Sequence, residues 1–131
     1  MDGDFGRTNR RALRQLANAA WDRELSNELR TLDASFEAWK TGQLTPHSLN
    51  SRIHEFHDGP ARDLYVLYTH VHPSQLVARA IARDILAEAE VPQSLLIDLA
   101  TAIDYYRSAP PLATEDHDNG EGNADSSSPA S

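Results

Sequence analysis

The stretch "TNRRALRQLANAAWDRELSNELRTLDASFEAWKTG", Thr8 to Gly42, holds no proline and only its closing glycine. Leu13, Leu16, Ala20, Trp21, Leu25, Leu29, Leu32, Phe36 and Trp39 recur in it at intervals of mostly three and four. That spacing gathers apolar side chains on one side of an α-helix. The pattern predicts one helix from about Thr8 to Thr41, stopped by Gly42, a residue suited to a left-handed C-terminal cap. Such a helix is roughly 50 Å long at 1.5 Å per residue.

A helix of that length needs a great deal of cover. The remaining patterns predict shorter helices, which could cover it only by lining up along it. The intervals 25–29–32–36–39 are heptad-like, which suits pairing with a second copy of the chain. Trp21, Leu25, Leu29, Leu32, Phe36 and Trp39 are therefore the candidate interaction residues, with the two tryptophans as anchors. The alternative is a bend near Asn18–Ala20 that folds the helix back into a monomeric bundle.

Punctuation divides the rest of the chain. Thr45 suits an N-cap and Pro46 the first helical position. Leu49, Ile53 and Phe56 then share a helical face. Asp58-Gly59 is expected to end this second helix, with Gly59 left-handed, and Pro60 to open a third. "LYVLYTHV", residues 64–71, also has strand-like composition. Pro73 opens a fourth helix carrying Leu76, Val77, Ala80, Ile81 and Ile85. Val91-Pro92 precedes a fifth, with Leu95, Leu99, Ala102, Ile103 and Tyr106 in regular register. The expected fold is an all-α bundle of about five helices with a long N-terminal helix and a disordered acidic C-terminal tail.

Charge sharpens these boundaries. The formal charge of the chain is −8, yet residues 7–107 carry 12 basic and 13 acidic side chains. Asp2 and Asp4 lie before them, and five unbalanced carboxylates, Glu115, Asp116, Asp118, Glu121 and Asp125, lie after them. Residues 1–7 read as a flexible N-terminus, 8–107 as the helical domain and 108–131 as the tail. The tail is rich in Pro, Gly, Ser, Asp and Asn and has too little to bury to offset its ordering entropy. A nearly neutral domain offers no broad field for nucleic acid or an anionic membrane.

Cysteine is absent, which excludes a disulfide framework, a thiol nucleophile and a cysteine zinc site, and fits a reducing cytoplasm. No apolar run approaches the roughly 20 residues of a membrane span. The N-terminal stretch does not read as a secretory signal. No Gly-rich phosphate loop and no Gly-x-Ser-x-Gly elbow occurs.

"RIHEFHDGPARDLY", Arg52 to Tyr65, is the densest run of reactive side chains. His54, His57 and Asp58, with His70 or His72, form a candidate metal set, because a catalytic zinc or iron site needs three protein ligands. Helical geometry weakens it. With Leu49, Ile53 and Phe56 inward, His57 falls at the edge of that face and His54 toward solvent. His57 also suits the last turn of one helix, and Asp58 and Asp63 the first turn of the next. The dipeptide His57-Asp58 resembles the motif of the HD phosphohydrolases. That family also needs an upstream histidine on a separate helix, whereas His47 and His54 share one short helix with the pair. No family follows.

Arg7, Arg10, Arg11 and Arg14 share a helical face that could meet phosphates. The row is short, and Asp22, Glu24 and Glu28 soon follow it. Taken together, the residues favour a non-catalytic helical interaction or regulatory protein, cytoplasmic and homodimeric, with no cofactor. A small metal-binding helical protein or metal-dependent enzyme is the alternative, and a nucleic-acid accessory protein the third choice.

Overall fold

A computed structural model describes residues 2–109, with side chains from Asn9 onward. The described residues form helices α1 (Asp2–Lys40), α2 (Pro46–Phe56), α3 (Arg62–His70), α4 (Pro73–Ala82), α5 (Gln93–Asp98) and α6 (Ala100–Ser108). A π-helical turn, His57–Ala61, joins α2 to α3, and a single 3-10 turn, Glu88–Glu90, precedes α5. No strand occurs among the described residues, so "LYVLYTHV" is helical through His70. The acidic stretch expected after Tyr106–Arg107 lies outside the described residues from position 110 onward.

The long first helix is unbroken, and no bend interrupts it at Asn18–Ala20. Gly42 ends it as its sequence context suggests. At φ +85°, Gly42 turns the chain so that the Gln43 and Leu44 N–H groups donate to the Ala38 carbonyl at 2.8 and 3.1 Å. Thr45 then caps α2 by accepting from the Ser48 N–H at 3.1 Å, with Pro46 as the first helical residue.

The expected corner at Gly59 does not exist. Among the described glycines only Gly42 has positive φ, and helical dihedrals at Phe56, Ala61 and Arg62 carry the chain straight through. The helix continues so that Leu64 and Tyr68 beyond the turn are buried, and Pro60 makes the continuation π rather than α. An α-helix cannot hold a proline in its interior without a clash against the carbonyl four residues back and the loss of one hydrogen bond. A π turn adds a residue to the turn and removes that conflict. Residues 46–70 thus form a near-continuous helix roughly 37 Å long at 1.5 Å per residue.

That helix runs antiparallel along α1. Arg52 reaches Ser35 near one end, and Tyr65 and Tyr68 meet Trp21 near the other. α4 crosses the N-terminal half of α1 and packs on its other side against α6. Ala17 and Ala20 of α1 and Ala78 and Ala80 of α4 are buried, and their small size lets the axes approach closely. Leu76, Val77, Ile81 and Leu86 supply the bulk of the fully buried volume. The expected fifth helix is divided at Leu99 (φ −95°, ψ 2°) into α5 and α6, whose Leu95, Leu99 and Ile103 close the core.

The core occupies one end of the molecule. From Ser26 to Phe56, only Ser35 and Leu49 are buried. Here α1 and α2 stand as a two-helix arm, and among the described residues no third element covers them as α4 covers the N-terminal half.

Candidate functional site

Two faces of α1 have different fates along the arm. The buried seam runs through Ala17, Ala20 and Ser35 and meets α2, the π turn and α3. At about 100° per residue, the row Leu25, Leu29, Leu32 and Phe36 lies roughly 100° around the helix from that seam. This row stays uncovered in part: Leu29 is 46 % exposed and Trp39 42 %, while Leu25, Leu32 and Phe36 are half-buried. Tyr65, 58 % exposed, extends the apolar surface sideways onto α3.

The seam is pinned by polar contacts that keep the row facing outward. Ser35 is buried, and its hydroxyl accepts from the Arg52 guanidinium at 3.0 Å. Nearer the core, Trp21 stacks on Tyr68 with ring centroids 5.6 Å apart and planes 2° from parallel, and meets Tyr65 edge-on at 6.2 Å. The Tyr68 hydroxyl donates to Glu24 Oε2, and the Arg79 guanidinium donates to both Glu24 oxygens, at 2.8 and 3.4 Å. The side chains of Arg79 and Glu24 are only 12 % and 17 % exposed. Burial, then the bond to Glu24, pushes the Tyr68 hydroxyl well above the usual tyrosine range. Burial works against the charge on Arg79, but pairing with Glu24 outweighs it and raises the pKa.

This cluster joins α1, α3 and α4 and is internally satisfied. Its chemistry is that of a clamp, because every donor and acceptor named is already engaged. The sequence does carry a signal for it: Arg79 stands alone within the apolar run "LVARAIA", residues 76–82. A buried arginine requires a carboxylate, and Glu24 lies on the seam side of α1.

A second clamp ties the segment after α4 to α1. Arg23 donates to the Ile85 carbonyl at 2.8 Å and grips both oxygens of Glu90, which also accepts from the Ala87 N–H at 2.8 Å. The Arg23 hydrogen bond and then the Ala87 N–H lower the Glu90 carboxyl to about 2.

The candidate metal residues are spread along helix 46–70 and the turn after it. His54 is exposed on α2. His57 and Asp58 sit on the π turn, 84 % and 79 % exposed, with Nδ1 and Oδ1 3.3 Å apart. His70 Nδ1 donates to the Val66 carbonyl at 3.0 Å, and His72 Nδ1 caps α4 by accepting from the Ser74 N–H at 3.1 Å. Among the described residues, no three His, Asp or Glu side chains converge as a metal site. The helical continuity through Gly59 explains the separation: α3 runs on from α2 instead of turning back beside it.

An open groove of about 600 Å³ lies where the start of α1 meets α4, α5 and α6, lined by Asn9, Leu13, Gln75, Asp98, Leu99 and Tyr105 among others. Gln75 in its wall accepts from the Tyr106 hydroxyl at 3.1 Å. Arg10, Arg11 and Arg14 are exposed on α1, while the Arg7 side chain is outside the described residues. Among the described residues, no helix is long and apolar enough to cross a membrane.

No protein-family model, curated protein or solved structure matches the chain. The uncovered row on α1 is accordingly the feature from which function is argued.

Proposed function

We propose that this protein is a non-catalytic helical interaction or regulatory protein that works through its helix faces as a homodimer. One observation carries the reading. The row Leu25, Leu29, Leu32, Phe36 and Trp39 repeats at heptad-like intervals on a two-helix arm whose buried seam lies elsewhere. Helices in proteins owe most of their stability to packing of an apolar face, and an apolar row left uncovered marks an association surface. A symmetric pair joins two such arms into a four-helix arrangement and covers both rows at once. The absence of cysteine is the reason for assigning the cytoplasm.

The test is the mass of the protein in solution across a wide concentration range. A dimer is expected, and Leu29→Glu is expected to turn it into a monomer while leaving helix content unchanged, because Leu29 is already 46 % exposed within one chain. A monomer at every concentration rejects the reading.

A further inference from the structure

We propose that the second copy lies antiparallel on the α1 row, with a two-fold axis passing between Leu29 and Leu32. This rests on the dimer reading above and adds its direction and register.

The row itself is the first reason. From Leu25 through Leu29 and Leu32 to Phe36, the intervals are four, three and four. That order is the same read in either direction. A two-fold axis perpendicular to the helix at its midpoint therefore maps these four positions onto one another, with Trp39 lying beyond them. Leu25 then meets Phe36 of the second copy, and Leu29 meets Leu32 of the second copy. A different protein would need to carry a matching row, whereas this row already matches its own reverse. Such a pairing is isologous, as closed two-fold interfaces are.

Apolar contact alone does not choose between directions, since parallel helices would set each of these residues against itself. Charge chooses. Glu28 and Asp33 lie on opposite flanks of the row, five residues apart. In a parallel pair, positions spaced in this way face each other across the seam. Two like-charged contacts, Glu28 to Asp33 of the second copy and its symmetry mate, would oppose that arrangement. The antiparallel register instead puts Glu28 and Asp33 of the second copy on opposite flanks, and places Asp33 near Ser26 of the second copy. At the ends of the row it brings exposed Asp22 to exposed Lys40 of the second copy, again twice by symmetry. The flanks are thus complementary in one direction and repulsive in the other.

The chain contains no cysteine, so introduced thiols report on direction without background. Asp22→Cys and Lys40→Cys both alter exposed positions. The two variants are co-expressed, purified together in reductant and then mildly oxidised, and the disulfide-linked products are sorted by mass. The expected product is the mixed dimer, well above the half that random pairing yields, with each variant alone linking poorly. Predominant self-linkage of Asp22→Cys overturns the antiparallel direction in favour of the parallel one. A stable dimer by light scattering that links at neither position overturns the register. A protein that is monomeric by light scattering at all concentrations overturns the dimer reading and this inference with it.

Discussion

Arg79 of α4 donates to Glu24 of α1 at 2.8 Å, where the two helices cross in the core. The same carboxylate oxygen accepts the Tyr68 hydroxyl from α3, so one acidic side chain holds three helices in register. Removing Glu24 would leave a mostly buried guanidinium unpaired, a defect worth about 3–5 kcal/mol in fully buried pairs. Glu24→Ala is expected to destabilise the fold by about 3 kcal/mol, toward the lower end because some exposure remains. Tyr68→Phe keeps the ion pair and the Trp21 stack, so about 1 kcal/mol is expected. Urea unfolding of both variants checks the order. Near-equal small losses would mean that Glu24 does not anchor the crossing.

The raised pKa of Tyr68 has its own signature. The hydroxyl stays protonated in the folded chain, through burial first and the Glu24 bond second, while an unfolded tyrosine ionises near 10.0. Its stabilising contribution is therefore complete below pH 10 and declines as pH rises above that value. Wild type should lose stability more steeply than Tyr68→Phe between pH 10 and 11. Parallel profiles would show that the hydroxyl ionises alike in both states.

Glu90 acts at the opposite end of the pH scale. Its folded pKa of about 2 lies below the ordinary 4.5, held there mainly by Arg23 and the Ala87 N–H. A depressed carboxylate contributes stability that is present above the unfolded value and fades as pH falls from about 4.5 toward 2. Glu90→Gln should flatten the acid limb of a melting-temperature profile in that interval and change little at neutral pH relative to its own acid value. An unchanged acid limb would remove Glu90 from the account.

The histidines carry a simpler expectation. His54 is exposed on α2, and His54→Ala should change stability by less than about 0.5 kcal/mol, as surface substitutions do. Denaturation of the variant with and without added zinc measures both its packing role and any ligation. A large loss, or zinc stabilisation that disappears with the substitution, would restore the metal reading for His54 and His57.

Much of this architecture was legible in the residues. The α1 row, the Thr45–Pro46 start of α2, the Gly42 stop and the apolar face of α4 all declare themselves by local rules. Those signals are local because they depend on backbone dihedrals or helical period. Two features escaped for different reasons. The break expected at Asp58-Gly59-Pro60 is the ordinary outcome for that tripeptide, and the π turn wins because Leu64 and Tyr68 beyond it bury against α1 only if the helix continues. The Glu24–Tyr68–Arg79 clamp joins residues far apart in the chain, and no single-helix pattern pairs them. Arg79 amid apolar neighbours hinted at a buried partner without saying which carboxylate. For the candidate sites, the row Leu25 to Trp39 was legible as a helical stripe. Which side α2 would cover was not, since Ser35 rather than a leucine marks the seam.

Gly42 and Gly59, compared with each other, allow the π turn to be tested directly. Gly42 adopts φ +85°, where a β-carbon is strained whatever the space around it. Gly42→Ala is expected to destabilise by about 1 kcal/mol. Gly59 is in helical backbone, and a β-carbon there would meet nothing within 4 Å. Gly59→Ala is therefore expected to stabilise by about 0.5–1 kcal/mol, since alanine loses less freedom than glycine on entering a helix. The opposite signs are the decisive observable, read from chemical denaturation midpoints at constant slope. A continuous helix from Pro46 to His70 requires the gain at Gly59. A loss there, matching that at Gly42, would mean that the chain turns a left-handed corner at Asp58-Gly59 and that α2 and α3 are separate helices.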